Sequence, residues 1–219
     1  MGKGDSPRPL SITPDEWARN WNKIFKDTSK KKKVRQPKRK SDEMSKIIDF
    51  YDDIGKDSSG RAFVDVVSFG FDEMEACHDY IQWLFPLREP SQFNPEAPLL
   101  TDEDIKRFKV GFKEYLDRAP NFEGAVDMFL SFLGFEWVWS KGKNYFKLSP
   151  NWEERKYTWA EELNHNHLRI TRFLSCLTLL GWRAVAEDLL DFIKETAEQK
   201  GFVLNSKSVE YWEGALDVE

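Results

Sequence analysis

All three histidines of the chain, His78, His165 and His167, stand in two short stretches: H-D-Y-I-Q-W-L-F-P-L-R-E-P, His78–Pro90, and N-H-N-H-L-R-I-T-R-F-L, Asn164–Leu174. The same stretches hold Arg169 and Arg172 one helical turn apart, Tyr80 and Trp83 at the same spacing, and Gln82, Arg88 and Glu89. Two guanidinium groups at i and i+3 could clamp a carboxylate, either on a peptide C-terminus or on an Asp or Glu of the protein itself. The internal pairing is the plainer account, because a guanidinium cannot shed its charge and a buried one needs carboxylate or carbonyl partners. Tyr80 and Trp83 offer an aromatic surface suited to the rings of a short peptide, with core packing as the simpler alternative. Gln82 and Arg88 add hydrogen-bonding groups, and Glu89 could receive a peptide amine. The expected ligand-binding set is therefore Tyr80, Gln82, Trp83, Arg88, Glu89, His165, His167, Arg169 and Arg172.

Metal and catalytic chemistry are not expected. An H-x-H pair at a helix start does not aim both rings at one ion, and His78 lies on an apolar helical face. Neither cysteine has an adjacent base by motif, and no glycine-rich phosphate loop or G-x-S-x-G elbow occurs. No cofactor is called for.

These residues need elements to position them. Asn164–Leu180 reads as a helix begun by Asn and His and closed by Gly181, with Ile170, Phe173, Leu174, Leu177 and Leu180 in one stripe. Leu168 and Leu179 lie near its opposite side, so it wants burial nearly all round and acts as a central post. Phe71–Phe85 predicts a helix ended by Pro86. Thr101-Asp102-Glu103-Asp104 restarts a helix with a capping box, burying Ile105, Phe108, Phe112, Tyr115 and Leu116 before Pro120. Phe122, Val126, Phe129, Leu130 and Leu133 mark another, with Gly134 past its end. Alternating Phe135, Trp137 and Trp139, a turn at Ser140–Lys143, then Tyr145, Phe146 and Leu148 predict a small hairpin near 135–148. Ser41 can cap a helix carrying Met44, Ile47, Ile48 and Tyr51. Phe63–Phe69 suits a short strand or buried extended segment. Ser149-Pro150 opens a helix through Trp152, Trp159 and Leu163. Helices over Trp182–Gly201 and around Val209, Trp212 and Leu216 close the chain. The fold class is all-α: a single helical domain, residues 42–216, around a buried central helix.

Residues 1–41 read as a flexible arm with a short amphipathic helix opened by Thr13-Pro14-Asp15-Glu16 and carrying Trp17, Trp21, Ile24 and Phe25. Its basic run comprises Lys30, Lys31, Lys32, Lys33, Arg35, Lys38, Arg39 and Lys40. The formal charge of −5 thus splits into +8 over Lys30–Lys40 and −13 elsewhere. Such a run suits a nuclear import receptor, with a solvated linker as the alternative. An acidic body disfavours nucleic acid as the main partner. With 219 residues and 15% aromatics the chain can bury a substantial core. Two cysteines and no apolar leader fit a reducing compartment, and no stretch is long and apolar enough to span a bilayer.

The two stretches, with Phe50-Tyr51 before the first and about 75 residues between them, resemble the conserved N-terminal region of the opioid growth factor receptor family over about residues 44–200. The resemblance implies a receptor of nucleus and cytoplasm that binds the pentapeptide Met-enkephalin and restrains cell growth, without similarity to membrane-spanning opioid receptors. A nuclear interaction module that binds a protein partner through its helical body stays open beside it.

Overall fold

The computed structural model describes residues 45–114, 118–140 and 143–219. The expected N-terminal helix, the basic run Lys30–Lys40, and Ser41, Met44, Tyr115 and Leu116 lie outside the described residues. Helices dominate, with one two-stranded antiparallel sheet. In chain order the elements are α1 (Lys46–Tyr51), α2 (Phe63–Val67), α3 (Phe71–Ala76), α4 (Ile81–Leu84), α5 (Asp102–Glu114), α6 (Arg118–Leu133), β1 (Phe135–Ser140) and β2 (Lys143–Leu148). They continue with α7 (Trp152–Arg155), a 3₁₀ turn (Lys156–Thr158), α8 (Asn166–Leu179), α9 (Arg183–Lys200) and α10 (Ser206–Gly214).

The expected post is α8. Asn164 Oδ1 accepts from the Asn166 N–H at 2.9 Å, which opens the helix, and Gly181 at φ 91° closes it. Its stripe of Ile170, Phe173, Leu174, Leu177 and Leu180 is fully buried. Phe173 meets Phe85 and Phe129 at ring distances of 4.7 and 4.9 Å, so α8 shares one aromatic centre with α6 and the end of α4. The helix α9 packs along α8 and the hairpin, and α10 covers the first turns of α8. The apolar residues buried by these elements form one cluster running from Ile47 to Ala215.

The hairpin pairs Phe135 with Leu148 and Ser140 with Lys143. The capping box at α5 is also present: the Thr101 N–H and hydroxyl both donate to Asp104 Oδ2, at 2.9 and 2.6 Å, and the Asp104 N–H donates to Thr101 Oγ1.

Three local expectations are corrected. Phe63–Val67 is helical instead of extended, started by Asp65, whose carboxylate accepts from the Ala62 N–H at 2.8 Å. Phe71–Phe85 is two helices instead of one, because Cys77 takes an extended conformation (φ −87°, ψ 133°). The carbonyls left over at that break are not wasted: Arg169 donates to Met74 O at 2.8 Å and to Cys77 O at 2.9 Å. The third correction has the same cause. The helix after Pro150 runs only through α7 and the 3₁₀ turn, since Asn166 Nδ2 donates to Thr158 O at 2.9 Å and His167 Nε2 lies 2.8 Å from Trp159 O. Polar side chains of α8 therefore replace helical N–H donors at two chain breaks, leaving the carbonyls satisfied.

Candidate functional site

Polar groups of α8 meet the His78–Pro90 stretch as the sequence suggests, but through carbonyls instead of carboxylates. Arg169 is buried, forks onto Met74 O and Cys77 O, and holds its Nη2 2.9 Å from His78 Nδ1. Its guanidinium also lies over the Tyr80 ring at 5.7 Å. Arg172 donates to Phe85 O at 3.0 Å. Among the described residues neither arginine forms an ion pair, which corrects the expected internal salt bridges. A fixed fork of donors matches scattered carbonyls as well as it matches a carboxylate, so charge pairing is not required. Burial pulls Arg172 down to about 10, with the nearby Cys176 opposing this, so the group stays cationic at neutral pH.

Around Arg169 the structure gathers His78, His165 and Glu75. His165 Nε2 lies 2.7 Å from Glu75 Oε1, and Asn166 Nδ2 donates to Glu75 Oε2 at 3.1 Å. Burial alone would raise the Glu75 carboxyl, but His165, Asn166 and the charge of Arg169 outweigh it and hold the group below its ordinary value. His78 is exposed, which corrects its placement on an apolar face.

Tyr80 and Trp83 are core residues. Tyr80 is wholly buried and faces Phe69 at 5.6 Å, while Trp83 packs on Phe50 at 5.3 Å and donates its indole N–H to Ser58 Oγ at 3.0 Å. Neither presents a ring face to a guest. His167 lies in the core beneath α10, with Nδ1 2.8 Å from Ser208 Oγ and its ring 5.1 Å from that of Trp212. A serine beside an imidazole has the atoms of a nucleophile and a base. Both residues are fully buried, however, and His167 Nε2 is engaged by Trp159 O, so the pair braces α8 against α10.

Gln82, Glu89 and Arg172 line one crevice too narrow to admit a water molecule, together with Ser91 and Leu99. The Gln82 amide, turned to satisfy both ends, donates to His78 O and Asp79 O and accepts from Ser91 Oγ, each at 3.2 Å. Arg88 pairs with Asp102 at 2.6 Å, and Glu89 is exposed. Thus the set reasoned from sequence separates into a hydrogen-bonded group around Arg169, a tight crevice at Arg172 and residues sealed in the core. No group of three or more His, Cys, Asp or Glu able to hold a metal occurs among the described residues.

A second concavity lies elsewhere. A cleft of about 640 Å³ opens where α6, β1 and the α8–α9 corner meet, lined by Glu123, Asp127, Trp137, Trp182 and Val185. Gly181 turns the chain sharply there, and the Trp137 and Trp182 rings meet at 5.4 Å with an interplanar angle of 65°. Trp182 is fixed from behind by Phe112 and Phe122, at 5.3 and 5.2 Å. Glu123 and Asp127 stand one turn apart on the rim. Partial withdrawal from water, and secondly the charge of Glu123, raise the Asp127 carboxyl above its ordinary value. Sequence reasoning missed this cleft because the two acids flank the apolar stripe of α6, where they read as ordinary solvated surface. The one available signal is the close sequence placement of Trp182 after Gly181.

Comparison with known proteins adds a family to this geometry. Residues 50–218 match the model described as the opioid growth factor receptor (OGFr) conserved region. Opioid growth factor receptor-like protein 1 of Mus musculus is 37% identical over 144 residues, covering 65% of this chain and 29% of that protein. The opioid growth factor receptor of Rattus norvegicus is 36% identical over 125 residues, 57% of this chain and 20% of that protein, and the Homo sapiens protein of the same name is 35% identical over 127 residues, covering 57% and 17%. The chain thus spans less than a third of the length of these relatives. No solved structure matches it.

Proposed function

The chain belongs to the opioid growth factor receptor family, and from that premise we propose that it is a receptor-like protein of nucleus and cytoplasm that binds a short opioid peptide of the Met-enkephalin kind and regulates growth. The observation that carries the peptide reading is the cleft at Glu123, Asp127, Trp137 and Trp182. It has the volume range of small-ligand sites and pairs aromatic walls with a few charged groups, as such sites do. The peptide site is therefore assigned to this cleft in place of Tyr80 and Trp83, whose rings are committed to the core. No step of chemistry is assigned. The buried Cys176 thiol is pushed above its ordinary range by burial, which disfavours it as a nucleophile.

Calorimetric titration of the folded protein with Met-enkephalin tests the reading. Saturable heat at micromolar to millimolar peptide is expected, and its absence on folded protein removes the receptor reading. A second reading has its own support, because the family-motif residues are consumed by internal bonds: the helical body is then a nuclear interaction module for a protein partner, with the basic run as an import signal. Microscopy decides the import part. Deleting Lys30–Lys40 is expected to shift the protein toward the cytoplasm, and unchanged nuclear signal rejects that role for the run.

A further inference from the structure

We infer that the crevice between α8 and the loop 88–99 is a covered site for a small oxyanion, with Arg172 as the group that receives it and the loop as a cover that lifts to admit it. The site lies apart from the cleft at Trp137 and Trp182, and the inference does not depend on what occupies that cleft.

The unmet charge of Arg172 is the first support. A guanidinium carries five N–H donors and no acceptor. Nη1 donates to Phe85 O at 3.0 Å, and among the described residues no carboxylate or other acceptor engages the remaining donors. The Nε and Nη2 donors lie along one edge of the fork, the edge that a carboxylate or phosphate grips with two parallel bonds. Burial lowers Arg172 to about 10, and the group opposing this, the Cys176 thiol, is itself raised by burial and uncharged at neutral pH. The cation is therefore withdrawn from water without a counter-charge, a state that an incoming oxyanion relieves.

The cover is the second. Arg172 and Gln82 form one side of the crevice, and the loop residues Glu89, Ser91, Ala97 and Leu99 form the other. The ends of the loop meet, with the Leu100 N–H donating to Leu87 O at 2.9 Å, so 88–99 is a compact Ω-loop on a closed base. No apolar side chain within it is fully buried. It is tied down by Asn94 Nδ2 on Asp79 O at 2.7 Å, Ser91 Oγ on the Gln82 amide at 3.2 Å and Arg88 on Asp102 at 2.6 Å. A segment held by a few polar bonds and no core of its own opens at lower cost than the whole fold. Glu89, the one acid in the lining, rides on the loop and leaves with it. With the loop down the crevice admits no water, so an anion reaches Arg172 through the open loop and shifts the population toward it.

The experiment follows the Nε–H resonance of Arg172 by NMR in the intact protein, which reports this one side chain whatever the basic run Lys30–Lys40 binds. The probe is inorganic phosphate, with sodium chloride at matched ionic strength as the control. A saturable shift with phosphate and none with chloride is expected. Asn94→Ala removes one tie of the closed loop, raises its open population and is expected to tighten phosphate binding by about fivefold. A second arm uses Tyr-Gly-Gly-Phe-Met as the free acid and as the C-terminal amide. A shift with the acid and not the amide names a peptide carboxylate as the source of the oxyanion, and a shift with phosphate alone names free phosphate. No saturable shift with any probe, in the parent and in Asn94→Ala, overturns the oxyanion site. Calorimetric heat from the peptide in those same samples leaves the peptide reading standing, so the two fail separately. Equal phosphate affinity in the parent and Asn94→Ala overturns the cover. Arg172→Lys keeps the charge and loses the fork, and is expected to weaken phosphate binding, read on the loop amides, by about tenfold at unchanged circular dichroism. Should that variant not fold, the parent and Asn94→Ala titrations still decide.

Discussion

Arg169 illustrates how a charged side chain can be structural without any opposite charge. It reaches from α8 into the break after α3, where two main-chain carbonyls have lost their helical donors, and supplies two N–H groups in a rigid fork. Hydrogen bonds to charged groups are worth about 1.5–3 kcal/mol each, so Arg169→Ala is expected to destabilise the protein by roughly 3 kcal/mol or more. Arg169→Lys keeps the charge but has no planar fork, and is expected to recover less than half of that loss. Urea denaturation of the two variants checks both statements, and a lysine variant as stable as the parent contradicts the fork. The need of Arg169 for polar partners is legible from its position on an otherwise apolar helix. Their identity is not, since a carbonyl freed by a chain break leaves no trace in residue type. Core packing, the simpler account of Tyr80 and Trp83 from sequence, is what their burial shows, although the helical phase of their segment is reset at Cys77.

At the scale of elements, the long periodic stretches were readable and the short ones were not. The helices α5, α6, α8 and α9 carry stripes that agree with their burial, and the first strand of the hairpin carries Phe135, Trp137 and Trp139 at alternate positions. The misread segments, Phe63–Val67, Phe71–Phe85 and the stretch after Pro150, form elements of only three to six residues, two of them broken by contacts from a distant helix, and periodicity says little there. Helix ends are better determined. Gly134, Gly181 and Gly201 follow three helices at φ 85°, 91° and 72°, a conformation that costs an L-residue about 1–2 kcal/mol. The three differ in surroundings. An alanine methyl at Gly201 meets nothing within 4 Å, at Gly181 it meets the flexible end of Lys109 at 3.2 Å, and at Gly134 it meets Trp152 and Arg155 at 3.1 Å. Thermal denaturation is therefore expected to rank the alanine variants Gly134 as most damaging, then Gly181, then Gly201 at about 1 kcal/mol. A Gly201→Ala variant that loses more than Gly134→Ala contradicts this account.

For the whole molecule, the question is whether these elements melt together. One apolar cluster runs from α1 to the residue after α10, and no described helix has a core of its own. His167 sits where three parts of it meet: its Nε2 engages Trp159 O, its Nδ1 engages Ser208, and its own carbonyl accepts from the Trp212 indole at 3.0 Å. A carbonyl only accepts, so Nε2–H donates to Trp159 O, and in the neutral ring Nδ1 accepts from the Ser208 hydroxyl. Burial, and secondarily the charge of His165, lower His167 to about 4, with the bond to Trp159 opposing them. An unfolded histidine takes its proton near 6.5, so between about 4 and 6.5 the unfolded chain binds more protons, and stability falls as the pH drops through that window. The shift corresponds to about 3 kcal/mol at its full extent. Glu75 and Asp79, whose carboxyls are held below their ordinary values, add losses in the same direction only at lower pH, which leaves pH 5–6.5 to report mainly on histidine. Urea titrations over that range are expected to lose stability steadily, with circular dichroism and tryptophan fluorescence giving one midpoint because the core is shared. His167→Gln, which keeps an amide donor and acceptor but cannot titrate, is expected to flatten the slope at some cost in stability. A parent protein whose stability does not change between pH 6.5 and 5, or whose two probes separate, would show that His167 is not the brace that joins α8 and α10 into one cooperative unit.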